Sequence, residues 1–251
     1  MADDLSVAES RDCMSKPLGH KSYGSIGHLP GSRRGPADHG VDPGQGVIAT
    51  SRARDRHDVV IVQQKLDGSN VAVANIEGRL EALGRAGHTA SSSKYEQHQL
   101  FAEWVRANAG LFEWLAPGER VCGEWLAQAH GTRYRLPHGP FVAFDIMRNG
   151  HERALWGEVK ARVCGVLPLP QLLSEGGPCS IERAVSLLDA AAHGAADGIE
   201  GCVWRVERQG RVDFLAKYVR PEKVDGCYLP EITGHEELWN WHPRKRVWHA
   251  V

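Results

Sequence analysis

The sequence predicts an α+β fold in which mainly antiparallel sheets carry a few flanking helices. Short β-branched apolar runs are separated by glycine-containing turns, a pattern typical of hairpins. Helical stripes are inserted between these hairpins and do not alternate strictly with single strands, which argues against a doubly wound sheet. A chain of 251 residues, 42% hydrophobic and 24% charged, can bury a core in one large or two small domains.

The elements follow from these patterns in order along the chain. Residues 1–17 are polar without a hydrophobic period, and we expect a flexible tail there. The segment 23–45, rich in Gly, Pro, His and Arg, is either a linker or an arm that folds over a ligand. Strands are predicted at 59–64, 70–76, 80–85, 121–127, 141–146, 199–206 and 212–219, and helices at 95–115, 152–163 and 180–193. The main domain is expected to span 18–233, with a separate tryptophan-rich basic segment at 234–251.

Composition and charge exclude several classes of protein. The net charge of −1, from 30 basic and 31 acidic residues, provides no overall attraction to nucleic acid, so any polyanion site must be local. No apolar run approaches the ~20 residues of a membrane helix. Six cysteines without a Cys-x-x-Cys pair and an N-terminus unlike a signal peptide predict a soluble, cytoplasmic protein. The thirteen histidines lack zinc-finger spacing.

One apolar strand ends in a reactive side chain and a turn. The β-branched run 59–62 is followed by Lys65, Asp67, Gly68 and Asn70. Glycine allows a backbone shape, or a close approach, that a side chain would forbid. A surface hairpin with such a polar turn needs no function, so this stretch becomes informative only together with motifs further along the chain.

Five short signals come after Lys65, each at a predicted strand or its end: Gly84-Arg85, Gly123-Glu124-Trp125, Phe141-Val142-Ala143-Phe144-Asp145, Glu200-Gly201-Cys202-Val203-Trp204-Arg205 and Lys217-Tyr218-Val219-Arg220-Pro221. The ordered series resembles the lysine-dependent nucleotidyltransferases, the superfamily of ATP-dependent ligases and capping enzymes, whose motifs begin with Lys-x-Asp-Gly. Five places after Lys65 this chain has Asn70. Nick-sealing and RNA-editing RNA ligases have asparagine there, whereas DNA ligases and capping enzymes usually have arginine.

The resemblance implies a nucleotidyltransferase (adenylation) domain that uses ATP and Mg²⁺ or Mn²⁺. Lys65 would attack the α-phosphate as the neutral amine, so its pKa must be lowered by neighbouring cations, metal or desolvation. The carboxylates of Asp67, Glu124 and Glu200 would hold the metal, in part through its water shell. By the same resemblance, Phe144 would stack on adenine and Glu124 would bind the ribose. Asn70 and Arg85 would act on phosphates and on strand joining, and Lys217 would contact the α-phosphate. Phe144 as a core residue and Arg85 as a solvated hairpin charge remain alternatives.

Two features depart from the family pattern. Leu215 stands where related RNA ligases have the first of two lysines separated by one residue, and Arg220 or Lys223 are the nearby substitutes. About thirty residues come after Pro221, so we expect no appended oligonucleotide-binding barrel.

The first hypothesis is an ATP-dependent RNA ligase that joins 3′-hydroxyl and 5′-phosphate RNA ends. The basic loops at 33–34, 133–135 and 244–246 would bind the nucleic acid, and this binding should weaken with salt. Two alternatives stay open: an enzyme with the same chemistry that seals DNA or modifies only ends, and a non-catalytic nucleotide- or RNA-binding module with the same fold.

Overall fold

Two five-stranded sheets form the body of the protein in the computed structural model, which describes residues 16–148 and 150–249. The strands are β1 (Gly27–His28), β2 (Asp58–Lys65), β3 (Ser69–Ile76), β4 (Arg79–Gly84), β5 (Arg120–Trp125), β6 (Phe141–Arg148), β7 (Glu152–Arg153), β8 (Leu172–Gly176), β9 (Gly201–Arg208) and β10 (Arg211–Val219). The helices are α1 (Pro43–Thr50), α2 (Glu96–Ala107), α3 (Trp156–Val163), α4 (Ile181–Ser186) and α5 (Pro230–Thr233). Most of the tail predicted at 1–17 lies outside the described residues.

The strand order confirms the predicted α+β class with mainly antiparallel sheets. The first sheet has the order β1-β10-β9-β2-β8, and the second has the order β4-β3-β5-β6-β7. Every pairing within these sheets is antiparallel except that of β1 with β10, which is parallel.

Strand register brings distant polar residues to the same region. In the first sheet Lys65, the last residue of β2, lies opposite Gly201 at the start of β9, so that Glu200 comes next to it. In the second sheet Asn70 of β3 lies opposite Glu124 of β5. The loop between β2 and β3 joins the two sheets at this point, which explains why the Lys65–Asn70 stretch organises the site.

The main core lies between the sheets and under α2. Ile61 from the first sheet packs in one cluster with Val71 and Trp125 from the second. The predicted helical stripe places Phe101 in this cluster, as expected. The helix ends at Ala107, and a 3₁₀ turn at Ala109–Phe112 follows it, because Asn108 donates its side-chain amide to the carbonyl of Trp104 at 2.8 Å.

All three predicted helices have different bounds, and the strands β1, β7 and β8 and the helices α1 and α5 were not predicted. The helix predicted at 152–163 begins at Trp156, because Glu152–Arg153 pairs with β6 as a short strand. The helix predicted at 180–193 ends at Ser186, and Asp189 then starts a separate 3₁₀ turn by accepting a bond from the Ala191 amide at 2.9 Å. Strand β8 and helix α1 lack a clear hydrophobic period and were missed.

The segments at both ends of the described chain pack on the sheets. The segment 23–45 is ordered: it contains β1 and the start of α1. In the C-terminal segment Trp239 is buried in the main core, and Trp241 packs against the same cluster. Within the described residues, no helix is both long and apolar enough to cross a membrane.

Candidate active site

Lys65 forms an ion pair with Glu200 at the end of β2. Its Nζ donates to Oε2 of Glu200 at 2.7 Å and to the carbonyl of Leu66 at 3.2 Å. The lysine side chain is 21% exposed and the glutamate 9%. Both groups are therefore largely withdrawn from water, where an ion pair is much stronger than at a solvated surface.

The pKa of Lys65 is raised in this structure, which differs from the lowered value expected for a nucleophile. Burial alone would lower the pKa of Lys65, but the carboxylates of Glu200, Glu124 and Asp67 outweigh it. Lys65 is therefore an ammonium in the unliganded protein. The amine becomes reactive only when another cation shares the negative charge around it.

Glu124 is held at the turn after Lys65. Its Oε1 accepts a hydrogen bond from the backbone amide of Gly68 at 3.0 Å. Burial raises the pKa of Glu124 to about 6, although Lys65 and the Gly68 amide oppose this shift. A Cβ on Gly68 would lie 2.4 Å from the carbonyl oxygen of Trp125, so glycine is needed here for a close approach of backbones.

Asp67 is fixed from three sides. Its backbone amide donates to the hydroxyl of the buried Tyr134 at 3.0 Å, and its Oδ2 accepts from the amide of Gly131 at 3.0 Å. The same oxygen lies 3.2 Å from Nζ of Lys223. Lys223 also donates to the carbonyl of Gly131 at 2.5 Å and to the hydroxyl of Thr132. These contacts leave Asp67 little freedom to rotate.

The three carboxylates Asp67, Glu124 and Glu200 line one cavity of about 260 Å³ together with Lys65 and Lys217. Across residues 16–148 and 150–249, no three His, Cys, Asp or Glu side chains form a group that could hold a metal ion. Each carboxylate uses one oxygen in the contacts above, and an ionised carboxylate can accept more. The three carboxylates therefore do not form a ready cage of direct ligands, and their fit is to a hydrated ion: Mg²⁺ keeps several waters and is usually held by one or two carboxylates and substrate phosphates.

A larger cavity, of about 710 Å³, opens beside Lys65. Asn70, Arg85, Glu124 and Lys217 line it together with Lys65. The Oδ1 atom of Asn70 is buried and has no hydrogen-bond partner in the described part of the chain. A buried polar atom without a partner is costly, and this one therefore indicates a place for a polar ligand.

A smaller cavity of about 100 Å³, the narrow cavity, shares Lys65, Asn70, Glu124 and Lys217 with the large one. Phe144, predicted to stack on adenine, lines it and meets the ring of Tyr23 edge to face at 5.2 Å between centroids. Gln63 lines it too, and its buried Nε2 lacks a partner among the described residues. An aromatic wall and an unused amide suit a flat heterocycle with polar edges.

Lys217 and Leu215 both line the narrow cavity from β10. Burial and the nearby Lys65 lower the pKa of Lys217, while Asp38 and Glu200 oppose this shift. Neither proposed substitute for the lysine missing at Leu215 lines this cavity or the two others around Lys65. Lys223 holds Asp67, and Arg220 pairs with Glu222.

The basic loops expected to bind nucleic acid are partly neutralised. Ion pairs are formed by Arg33 with Asp225, Arg133 with Asp197, Arg244 with Glu103, and Lys245 with Glu96. Arg85 and the exposed Lys94, in contrast, lie on the wall of the large cavity. Together with Lys217, these two residues supply the positive charge on the wall of the cavity beside Lys65.

Several residues of the site were not predicted. Gln63 was detectable, because strand alternation puts it on the same face as Lys65 two positions later. Tyr23, His28 and Asp38 come from the segment before β2. That segment has no periodic pattern, and only its folding onto β10 brings it to the site.

Known proteins resemble this chain in sequence pattern and in fold. A family model described as RNA ligase matches residues 58–219, and no curated protein sequence matched. A Naegleria gruberi RNA ligase mutant solved with ATP and Mn is 15% identical over 77% of this chain and 59% of that chain, with a TM-score of 0.53. An archaeal ATP-dependent RNA ligase is 22% identical, with coverages of 78% and 48% and a TM-score of 0.45.

A putative ATP-dependent DNA ligase from Aquifex aeolicus is 16% identical, with coverages of 78% and 49% and a TM-score of 0.49. The chain thus spans about half the length of the archaeal RNA ligase and of the Aquifex protein. The Naegleria likeness shows a shared fold. Because the family model matches well over half of its residues, this chain belongs to the RNA ligase family.

Proposed function

We propose that this chain is an ATP-dependent RNA ligase that works through a covalent lysyl-AMP on Lys65. The observation that carries the proposal is the convergence of Lys65, three carboxylates and Lys217 around cavities that share lining residues. A binding module would need the cavities, but it would not need a buried lysine paired at 2.7 Å with a buried glutamate.

In the first step Nζ of Lys65 forms a P–N bond with the α-phosphorus of ATP. The bond from that phosphorus to the bridging oxygen of the β-phosphate breaks, and pyrophosphate leaves. Oε2 of Glu200 is the nearest acceptor for the proton of Lys65, at 2.7 Å. Bound Mg²⁺ or Mn²⁺ would neutralise phosphate charge and draw the carboxylates' charge away from Lys65.

The narrow cavity is the proposed adenine site. Phe144 would cover one face of the base, and the Nε2 of Gln63 would find its missing partner on the base edge. Asn70 lines both this cavity and the larger one, which supports a position between base and phosphates. Glu124 would bind the ribose or hold metal-bound water.

In the second step AMP passes from Lys65 to a 5′-phosphate, and the P–N bond breaks as a phosphoanhydride forms. In the third step a 3′-hydroxyl attacks the phosphorus of that 5′-phosphate, and AMP leaves. The large cavity with Arg85 and Lys94 is the proposed place for the polynucleotide ends. The five described cysteines are free, which suits the reducing cytoplasm that we propose as the compartment.

The test is an intact-mass spectrum of the purified protein before and after ATP with Mg²⁺ or Mn²⁺, followed by pyrophosphate. We expect an AMP adduct that pyrophosphate removes and that Lys65→Ala abolishes. Lys160→Ala is the matched control, because Lys160 is a half-exposed lysine of α3 paired with Glu175. An adduct that persists in Lys65→Ala would contradict the nucleophile assignment.

The acceptor is tested separately with nicked duplexes that carry ribose or deoxyribose on the 3′-hydroxyl side. An RNA ligase should seal the ribose nick faster. Equal rates would favour the DNA-sealing alternative. In the mass-spectrometry test, a wild-type protein that forms no adduct with Mg²⁺ and none with Mn²⁺ would favour a non-catalytic module.

A further inference from the structure

The arm of residues 27–42, which precedes the segment matched by the family model, reaches into the candidate active site. Strand β1 of the arm pairs in parallel with β10, with His28 opposite Lys217. The arm then turns back on itself, so that the His28 amide donates to the His39 carbonyl at 2.9 Å and the Val41 amide to the His28 carbonyl at 3.0 Å. This turn brings Asp38 over β10.

The arm is closely fitted to the sheet. The amide of Leu29 donates to the carbonyl of Lys217 at 2.8 Å, and the amide of Arg33 donates to that of Val219 at 3.0 Å. A Cβ on Gly27 would lie 2.9 Å from Cγ1 of Val41, so the two runs of the arm touch without room for a side chain. The backbone of the arm is thus hydrogen-bonded both to β10 and within the arm, which holds its side chains in defined positions.

Asp38 is anchored through one oxygen and presents the other to Lys217. Its Oδ2 accepts from the amide of Gly35 at 2.9 Å and lies 3.2 Å from Nε2 of His28. Its Oδ1 lies 3.6 Å from Nζ of Lys217. His28 is 1% exposed and is itself held through Nδ1 by the hydroxyl of Ser32 at 2.7 Å.

The charges around Lys217 indicate what its contact with Asp38 does. Lys65 and Arg85 repel the ammonium of Lys217, whereas Asp38 and Glu200 attract it. Glu200 is already paired with Lys65. Leu215, which lines the narrow cavity beside Lys217, provides no second cation that could contact the phosphate.

We propose that Asp38 is a positioning residue for the lysyl-AMP step, which holds the ammonium of Lys217 where the α-phosphate of ATP will lie. The inference rests on the proposed function. Because position 215 offers no second lysine to contact the phosphate, the placement of Lys217 by the arm matters more. A misplacement of about 1 Å can cost on the order of 100-fold in rate.

The test measures the single-turnover rate of adduct formation at saturating ATP and the affinity for a non-reactive ATP analogue. For Asp38→Ala and the isosteric Asp38→Asn we expect about a tenfold lower rate and less than about a threefold change in affinity. In a Lys217→Ala background, Asp38→Ala should change the rate by less than about twofold, because residues that act through one another are not additive. Asp42→Ala, an exposed carboxylate change at the N-cap of α1 in the same arm, is the matched control.

Wild-type rates in both Asp38 variants would overturn the inference, as would a full tenfold loss in the Lys217→Ala background. An equal loss in Asp42→Ala would show that the arm acts only through stability, which also overturns it. A wild-type protein that forms no adduct overturns the proposed function itself and with it any role of Asp38 in this step.

Discussion

Lys65 and Glu200 are 135 residues apart in the chain, yet Nζ of the lysine lies 2.7 Å from Oε2 of the glutamate. The register of β2 against β9 creates this pair, because Lys65 lies opposite Gly201. A Cβ on Gly201 would lie 1.9 Å from the carbonyl oxygen of Tyr218. The glycine thus lets β9 begin close to β10 and sets where Glu200 enters the site.

Glu200→Gln should reduce the rate of lysyl-AMP formation by about 100-fold or more, because it removes the proposed proton acceptor and part of the metal-binding charge. The fold should persist, since the amide keeps the shape of the side chain. Mass spectrometry of the adduct over time gives the rate. Glu175→Gln, which alters the surface pair with Lys160, is the control, and an undiminished rate in Glu200→Gln would remove Glu200 from the site.

Phe144→Ala should raise the KM for ATP about tenfold, because the base would lose its aromatic wall. The rate at saturating ATP should fall less than the KM rises. Phe144→Leu, which restores apolar volume without a ring, should lie between the alanine variant and the wild type. The prediction is wrong if the KM of Phe144→Ala stays within about twofold of the wild-type value.

Asp145→Asn should lower the free energy of unfolding by about 3 kcal/mol, because it breaks a buried ion pair between the sheets. Asp145 is fully buried, and its Oδ1 lies 2.6 Å from Nη2 of Arg205, which is 2% exposed. Urea denaturation measures the change. The exposed pair variant Glu175→Gln should leave the midpoint nearly unchanged, and a midpoint for Asp145→Asn that equals the wild type would contradict the prediction.

Stability should fall as the pH drops from about 6.5 to about 4, in part because of His193. Burial, with a contribution from His138, lowers the pKa of His193 from 6.5 to about 4. The unfolded chain therefore takes up this proton at a higher pH than the folded protein does. His193 favours the folded state above pH 6.5, and this contribution, of roughly 1–3 kcal/mol, is lost toward pH 4.

His193→Asn should make the free energy of unfolding less dependent on pH across that range. His235→Asn is the control, because His235 is exposed. Denaturant titrations at several pH values supply the comparison. An unchanged slope in His193→Asn would show that other groups carry the acid sensitivity.

Lys94→Ala should weaken binding of RNA ends and reduce the slope of log affinity against log salt by about 1, because one phosphate contact is lost. Lys94 is exposed on the wall of the large cavity. Fluorescence anisotropy of a labelled 5′-phosphorylated RNA at several salt concentrations gives the slope. Lys160→Ala should leave the slope unchanged, and an equal change in both variants would place the RNA elsewhere.

The sequence by itself determined the fold class and the order of the motifs. Alternating apolar runs predict strands because successive side chains point to opposite faces, and the strands at Lys65, Glu124 and Lys217 were found in this way. The eight predicted site residues line three cavities that share Lys65, Glu124 and Lys217. They could be predicted because the ordered motifs that contain them resemble those of ATP-dependent ligases.

Only the tertiary structure decided which charges meet. The pKa of Lys65 rises because burial is outweighed by carboxylates from three separate chain segments, and no local pattern encodes that balance. Lys223 proved to hold Asp67, and the arm proved to bring Asp38 to Lys217. Coulomb interactions depend on distances in space, and distances between residues far apart in sequence are set by sheet register and by the folding of irregular segments.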